Sequence, residues 1–349
     1  MVMFDHPALS AWAADPDTRQ AISFEADLQA MLRFEVELAA AQAELQIIPP
    51  EAADRIEAMV AEFQPDMESI GRATARDGVI VPGLVRQLRA ALPDDETAHN
   101  LHLGATSQDV IDTALMLRLQ GLLPGYVSRM DDIERRLQGL RTEWGDRPLM
   151  AVTWRRDALQ MTVGDRIASW SAGLAAAQAQ LIRVQEEDLA VQFAGPIGTL
   201  DAFGARGADL RAILAARLGL LDPGMSWHTE RGRLLRIATA LVATTAALGK
   251  IGADIGLMAQ DGTGKVTLDG GSSSSMPHKV NPVDAELLVA QAAFAGGLLG
   301  MMGQAGVHAS ERDGAAWTLE WMVLPQTLDC AGGALRATDR LLCAIQDLG

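Results

Sequence analysis

A Gly/Ser-rich segment that runs into a lysine and an asparagine carries the strongest chemical pattern in the chain. It begins at Gly270, continues through four serines, and ends in Met-Pro-His-Lys-Val-Asn-Pro at residues 276–282. A loop of this kind before a helix presents backbone N–H groups, and Lys279 adds a positive charge. The segment therefore predicts an anion-binding site, and the same donors could lower the pKa of one serine hydroxyl.

The alternative is a flexible linker followed by a helix start. Asn281 is a favourable N-cap residue, Pro282 suits the first helical position, and acidic residues follow it at 284 and 286. A linker, however, gives no reason for Met-Pro-His-Lys to stand directly against the start of the helix. The residue types alone do not decide between capping by Asn281 and anion binding.

A second segment, residues 99–109, places neutral donors directly before a long helical pattern. Thr106, Ser107 and Gln108 are suited to hold a carboxylate at a helix N-terminus. Alternatively, Thr106 or Ser107 only caps that helix. His99 and His102 lie three residues apart, but no cysteine or evident carboxylate accompanies them, whereas a catalytic zinc site needs three protein ligands. We therefore expect no metal.

Two further segments are weak by themselves. One contains Thr153-Trp154-Arg155-Arg156, and the other contains Glu311-Arg312-Asp313-Gly314. Each could simply be a solvated loop.

Helical periodicity dominates the elements that must position these segments. Hydrophobic residues make up 49% of the 349 residues but aromatic residues only 4%, which disfavours an all-β fold. Leu28, Met31, Phe34, Leu38 and Ala41 follow each other in steps of three and four, as on one helix face. Long helical tracts are predicted near residues 109–144, 161–192, 229–260 and 283–307. They predict an elongated helical bundle with the chemistry at its connectors.

Charge and composition exclude several classes of partner. The formal net charge is −16 and no basic run offsets it, so nucleic-acid binding is not expected. Cys330 and Cys343 are too few for a disulfide framework. We see no signal peptide, and the most apolar stretch, residues 237–249, is predicted as a buried helix too short to span a bilayer. We therefore expect a cytoplasmic protein that binds no membrane.

Residues 273–282 resemble a known signature. They match Ser-Ser-x-Met-Pro-x-Lys-x-Asn-Pro of the fumarase/aspartase superfamily, and Thr-Ser-Gln-Asp at 106–109, preceded by His102-x-Gly104, is similar to a second block of that superfamily. Within it, the chain most resembles the 3-carboxy-cis,cis-muconate cycloisomerases. The blocks that carry this narrower resemblance are residues 104–114, 227–229 and 311–314, with Trp317 and Glu320-Trp321.

The resemblance implies an all-α fold of long bundled helices. It implies a small helical N-terminal domain at residues 1–95, with a boundary near Pro93-Asp94-Asp95, and a central long-helix bundle domain at 96–324. The family's C-terminal domain would be much reduced, leaving a remnant helix at 325–349. It also implies a homotetramer in which three protomers build each active site.

The resemblance also implies roles for individual residues. Ser273 would transfer the proton, Lys279 and Asn281 would bind substrate carboxylates, and Glu286 would orient the site. The remaining positions implied to bind substrate are His102, Thr106, Ser107, Gln108, Trp154, His278 and Arg312. The implied reaction lactonises 3-carboxy-cis,cis-muconate, a small tricarboxylate, to 4-carboxymuconolactone in protocatechuate (β-ketoadipate) catabolism, with no metal or organic cofactor.

One position departs from most of the superfamily. Many of its lyases carry His in Thr-His-x-Gln, which protonates the leaving group, whereas this chain has Thr153-Trp154-Arg155-Arg156, and the cycloisomerases share the Trp. In lactone chemistry the leaving group is the substrate's own carboxylate, whose pKa of about 4 makes an acid unnecessary. The role of Arg156, where relatives have Gln, is open.

Three alternatives remain. The first is another lyase of the superfamily, such as adenylosuccinate lyase, against which Trp154 counts. The second is a catalytically silent structural homologue of the kind found as lens crystallins, against which the presence of Ser273 and Lys279 counts. The third is a helical adaptor, which is disfavoured because the informative residues lie at helix ends.

Overall fold

The computed structural model describes residues 3–276 and 278–349. The N-terminal part is a cluster of helices in which α3 is the longest. Its helices are α1 (Leu9–Ala13), α2 (Pro16–Ala21), α3 (Phe24–Glu44), α4 (Pro50–Glu62), α5 (Met67–Asp77), α6 (Val81–Ala91) and α7 (Asp95–Asn100). The predicted apolar stripe of α3 is confirmed: Phe34 and Leu38 are buried where α3 packs against the central helices.

The central part contains five long helices within the described residues, joined by connectors that hold short elements. The helices are α8 (Ser107–Trp144), α9 (Val163–Glu187), α10 (Gly207–Leu218), α11 (Gly232–Met258), α12 (Val283–Ala305) and α13 (Gly314–Cys343), of which α10 is the short one. The strands are β1 (Pro148–Thr153), β2 (Arg156–Thr162), β3 (Val266–Leu268) and β4 (Ile345–Leu348). β1 pairs with β2 and β3 with β4, both antiparallel. The all-α long-helix fold expected from the sequence is confirmed.

Small residues allow α11 and α12 to approach closely. A Cβ atom at Gly252 would lie only 2.7 Å from the carbonyl oxygen of Ala285. The two backbones therefore touch at this point, and a larger side chain would force them apart. Both helices also pack against α13, which completes the bundle core.

Helix α13 corrects the predicted C-terminal boundary. It runs without interruption through Pro325 to Cys343, so the division expected between residues 324 and 325 falls inside one helix. Its second half is buried, including Leu328, Leu335 and Leu342. The expectation of a separate remnant helix at 325–349 is therefore wrong, because these residues form the second half of a full bundle helix and then strand β4.

The two long apolar tracts predicted at 229–260 and 283–307 form the bundle helices α11 and α12. The apolar stretch 237–249 lies within α11, and α11 and α12 are each long and apolar enough to cross a membrane by length and composition. In the structure they are bundle helices, and Leu241, Leu248 and Ile251 of α11 are fully buried.

Candidate active site

The Gly/Ser-rich segment is a closed loop whose two ends are bonded to each other. The N–H of Asn281 donates to the carbonyl of Gly271 at 2.8 Å, and Ser272 pairs with Val280. Gly271 adopts a φ of 64°, and a Cβ atom there would lie 1.9 Å from the Asn281 oxygen. Glycine is therefore required at the point where the loop closes.

Inside this loop, backbone donors converge on Ser273. The Oγ of Ser273 accepts from the N–H of Ser275 at 3.4 Å and from the N–H of Met276 at 3.2 Å. The side chain is half-buried. Dipoles that point at this oxygen stabilise negative charge on it, which is the arrangement a serine needs in order to exchange its proton. Pro277, part of the matched signature, lies outside the described residues.

The other predicted residues of this loop lie around its rim. His278 and Lys279 are exposed, and Glu286 is exposed on the first turn of α12, next to Gly256 of α11. The capping interpretation of Asn281 is wrong: Pro282 is the N-cap of α12, and no side chain in the described part of the chain caps this helix. The carbonyl of Asn281 instead accepts from the N–H of Val283 at 2.8 Å.

The segment around Trp154, for which a solvated loop was one open interpretation, forms a hairpin. Trp154 and Arg155 form its two-residue turn, with φ values of 50° and 61°, and Thr153 faces Arg156 across it. Such turns favour Asn or Gly, so Trp and Arg here are strained. The indole of Trp154 is 98% exposed, and Nζ of Lys265 lies 3.4 Å from the carbonyl of Met150 in the hairpin. The hairpin therefore lies at the same end of the bundle as the Ser273 loop.

The second predicted segment is fixed by the buried carboxylate of Asp109. Thr106 is the N-cap of α8, and its N–H donates to Asp109 Oδ2 at 3.0 Å, as the capping interpretation predicted. Asp109 also accepts from the N–H groups of Ala194 and Gly195, both at 3.0 Å, and its Oδ1 lies 2.8 Å from His228 Nε2. Asp109 thereby connects the start of α8 to the segment that contains Ala194 and Gly195 and to the segment that contains His228. The half-buried Ser107 lies on the first turn of α8.

The side chain of Gln108 makes its hydrogen bonds within the protein. Its side chain is fully buried, and Nε2 donates to Asp112 Oδ2 at 3.2 Å and to the carbonyl of His228 at 2.8 Å. Its Oε1 accepts from Nε of Arg312 at 3.0 Å. These partners engage both types of group on the amide, its N–H donors and its oxygen. Direct contact of Gln108 with substrate stays a prediction.

A buried ion cluster lies beneath Gln108. Arg231 is fully buried, and its five N–H groups have acceptors on Asp112, Glu320 and the carbonyl of Trp227. Burial would lower the pKa of Arg231, but the two carboxylates outweigh it and raise that pKa. Burial raises the pKa of Glu320 to about 7 against the opposing effect of Arg231. No local sequence pattern indicates this cluster, because its members are far apart in the chain.

His102 is paired with a carboxylate on α3. Its Nδ1 lies 2.6 Å from Oε1 of the buried Glu35. Burial would lower the pKa of His102, but the charge and hydrogen bond of Glu35 outweigh it and raise that pKa. His99, the other histidine considered for metal binding, is exposed on α7. Among the described residues, no three His, Cys, Asp or Glu side chains are grouped to hold a metal ion.

Within one chain, the predicted site residues fall into two groups. The Ser273 loop precedes α12 and the Arg312 connector follows it, so 23 helical residues separate them, a length of about 35 Å. The first group is the hairpin and the Ser273 loop, and the second is His102, the start of α8 and Arg312. A site containing both groups requires more than one copy of the chain.

Comparison with known proteins identifies the family. The family model described as lyase matches residues 13–297. The chain is 36% identical over 340 residues to the 3-carboxy-cis,cis-muconate cycloisomerase of Bradyrhizobium diazoefficiens, covering 95% of this chain and 75% of that protein. It is 34% identical over 349 residues to the protein of the same name from Pseudomonas aeruginosa, covering 97% and 76%.

A solved structure agrees with these sequence matches. The crystal structure of 3-carboxy-cis,cis-muconate lactonizing enzyme from Pseudomonas putida superposes with a TM-score of 0.91 at 32% identity, over 99% of this chain and 78% of that one.

Proposed function

This chain belongs to the lyase family of the fumarase/aspartase superfamily, and we propose that it is a cycloisomerase that lactonises 3-carboxy-cis,cis-muconate to 4-carboxymuconolactone in protocatechuate catabolism. The names of its relatives support the substrate. The observation that carries the chemistry is the convergence of two backbone N–H groups on Ser273 Oγ.

In the proposed reaction, one substrate carboxylate oxygen adds to a carbon of the diene. A C–O bond forms, one C=C π bond breaks, and its electron pair moves toward the neighbouring carbon and the carboxylate beside it. Ser273 then delivers its proton to that carbon, and the serine oxyanion is stabilised by the N–H groups of Ser275 and Met276 until solvent reprotonates it. In the reverse direction the same oxyanion removes the proton.

The remaining residues bind the substrate polyanion in this proposal. Lys279 and Arg312 supply positive charge, and Thr106 and Ser107 supply donors at the start of α8. Trp154 contributes an apolar surface at the hairpin tip, and Glu286 orients the signature loop from α12. No histidine is required at position 154, because the nucleophile is a carboxylate with a pKa of about 4.

A homotetramer with composite sites completes the proposal. The exposed face of α12 supports it: Val283, Phe294 and Met301 lie on one side of the helix and are 40%, 47% and 40% exposed. Between Glu286 and Gln304 this helix carries no charged residue. An apolar helical face of this kind is suited to pack against another copy. Such packing would also bring the Ser273 loop of one protomer toward the Arg312 end of another.

The deciding experiment is incubation of the purified protein with 3-carboxy-cis,cis-muconate and identification of the product by NMR. We expect a carboxylated muconolactone, with loss of the muconate absorbance. Cleavage of adenylosuccinate in a parallel assay, with no lactone formed, would assign the chain to a different lyase activity. Turnover of neither substrate would refute the proposal.

A further inference from the structure

The side-chain amide of Gln108 has one orientation in the fold. Nε2 must face the Asp112 carboxylate and the His228 carbonyl, since both are acceptors. A flipped amide would place Oε1 against these two oxygens in a buried site, where the repulsion is large. Oε1 is therefore held toward Nε of Arg312.

Asp112, which sets this orientation, is itself immobile. Arg231 donates to its Oδ2 from Nη1 at 2.6 Å and to its Oδ1 from Nη2 at 3.1 Å, and Trp317 Nε1 donates to Oδ1 at 3.2 Å. Glu320 holds the other side of Arg231 through two further bonds of 2.8 and 2.6 Å. A rigid series of contacts therefore extends from Glu320 through Arg231 and Asp112 to Gln108.

Arg312 is the exposed end of this series. Nε donates to Gln108, and Nη2 donates to the carbonyl of Pro196 at 3.1 Å. Among the described residues, Nη1 has no protein acceptor within hydrogen-bond distance, and the residue is exposed. An unrestrained arginine loses side-chain entropy when it binds a carboxylate. Two fixed contacts remove part of that cost before a ligand arrives.

We propose that Gln108 is a positioning residue that fixes the guanidinium of Arg312 for a substrate carboxylate, with the buried Asp112–Arg231 pair holding Gln108 in place. This inference rests on the proposed function for the identity of the ligand. It assigns Gln108 a role through Arg312 and not through contact with substrate.

The test is a double-mutant cycle with Gln108→Met and Arg312→Ala. Methionine matches glutamine in length but offers no amide. We expect Gln108→Met to raise KM for 3-carboxy-cis,cis-muconate roughly tenfold with kcat within about threefold, since a charge-assisted hydrogen bond is lost. In the Arg312→Ala background the same substitution should leave KM unchanged. If KM of the double variant rose by the product of the two single increases, the inference would be overturned. It would also be overturned if Gln108→Met left KM unchanged.

A second cycle keeps the positive charge at position 312. Arg312→Lys keeps the charge but has no Nε–H for Gln108, so Gln108→Met should again leave KM unchanged in that background. The melting temperature and size of every variant are recorded. A purely structural Gln108 would lower the melting temperature and leave KM unaltered, which contradicts the proposal.

Binding of tricarballylate, a saturated tricarboxylate, separates this inference from the proposed function. Calorimetry should give the same coupling between positions 108 and 312 for this ligand, without any turnover. Coupling in tricarballylate binding without lactone formation would retain the positioning role and refute the cycloisomerase. Lactone formation without coupling would support the cycloisomerase and refute the positioning role.

Discussion

The Oγ of Ser273 and the backbone N–H of Met276 lie 3.2 Å apart, with the N–H as donor. The oxygen thus faces a donor of its own loop three residues later in the chain. This contact makes Ser273 the one serine of residues 272–275 whose oxygen receives backbone donors among the described hydrogen bonds, and it leads to the first prediction.

Replacing Ser273 by Ala should abolish turnover and leave the fold and oligomer intact. Loss of a proton-transfer group costs roughly 10²- to 10⁴-fold in rate. Ser274→Ala is the matched control, because it removes a neighbouring hydroxyl from the same loop. The rate of loss of muconate absorbance measures both variants, and near-normal activity of Ser273→Ala would exclude this serine from the mechanism.

Replacing Gly271 by Ala should open the loop. A Cβ atom there meets the Asn281 carbonyl oxygen at 1.9 Å, and the φ of 64° adds strain of about 1–2 kcal/mol. Gly270→Ala is the control: its φ of 96° is also positive, but no atom lies within 4 Å of the added Cβ. We expect a far larger loss of kcat in Gly271→Ala, with a similar melting temperature for the two. Equal activities would show that closure of the loop is unimportant.

Replacing Lys279 by Met should mainly weaken substrate binding. Loss of a charge-assisted hydrogen bond to a carboxylate predicts a rise in KM of roughly tenfold or more. Lys250→Met serves as control, because Lys250 pairs with Asp254 on the bundle surface. Steady-state kinetics give KM for both variants, and we expect it to rise only in Lys279→Met. An unchanged KM in Lys279→Met would argue against a carboxylate contact.

Mixing two variants of reduced activity should raise the activity if sites are shared between protomers. Ser273→Ala and Arg312→Ala damage groups at opposite ends of α12. Unfolding and refolding them together allows some sites to combine an intact Ser273 with an intact Arg312 from different protomers. Random association of equal amounts predicts recovery of about one quarter of the wild-type sites. Recovery indistinguishable from the unmixed variants would contradict a composite site.

Glu320 should make stability decrease with rising pH. Its pKa is about 7 in the folded chain against an ordinary value of 4.5. Between these values the folded state holds a proton that the unfolded state has lost, so the free energy of unfolding is greatest below about pH 4.5 and falls as pH rises toward 7. The predicted contribution is about 3 kcal/mol. Glu320→Gln mimics the protonated acid and should lack this component.

Urea unfolding at pH 5 and pH 8 tests this directly. The variant should gain stability relative to wild type as pH rises, because wild type alone loses its bound proton. Parallel pH profiles for the two proteins would show that Glu320 is ionised throughout this range. Asp329→Asn is a useful comparison, since burial also raises the pKa of Asp329, to about 6.

Local sequence patterns were sufficient for the fold class and for the loop that holds Ser273. The 3.6-residue period of α3 and the Gly-Gly-Ser run before Asn281 depend on near neighbours in the chain. For this reason the helices, the cap at Thr106 and the approximate position of the signature loop could be predicted. The boundary at residue 325, which came from the family resemblance, failed because α13 continues through Pro325 and its second half is buried by tertiary packing.

The roles of Gln108 and Asn281 were beyond the sequence for a related reason. A glutamine at a helix N-terminus has the same local preferences whether it faces a ligand or a buried carboxylate. Asp112, Arg231 and Glu320, which decide the matter, are brought together only when α8, α11 and α13 pack. The local capping preference of Asn281 likewise did not decide its role, because its N–H bonds to the carbonyl of Gly271 where the loop closes.

The amino-acid sequence by itself determined that the chain forms long helices and that a serine, a lysine and a set of neutral donors lie at their ends, because these properties depend on spacing along the chain. Tertiary structure alone decided that Gln108 contacts Arg312, and that Asp109 joins the start of α8 to Gly195 and His228. Such relationships depend on distances between segments remote in sequence, which only the packed bundle fixes.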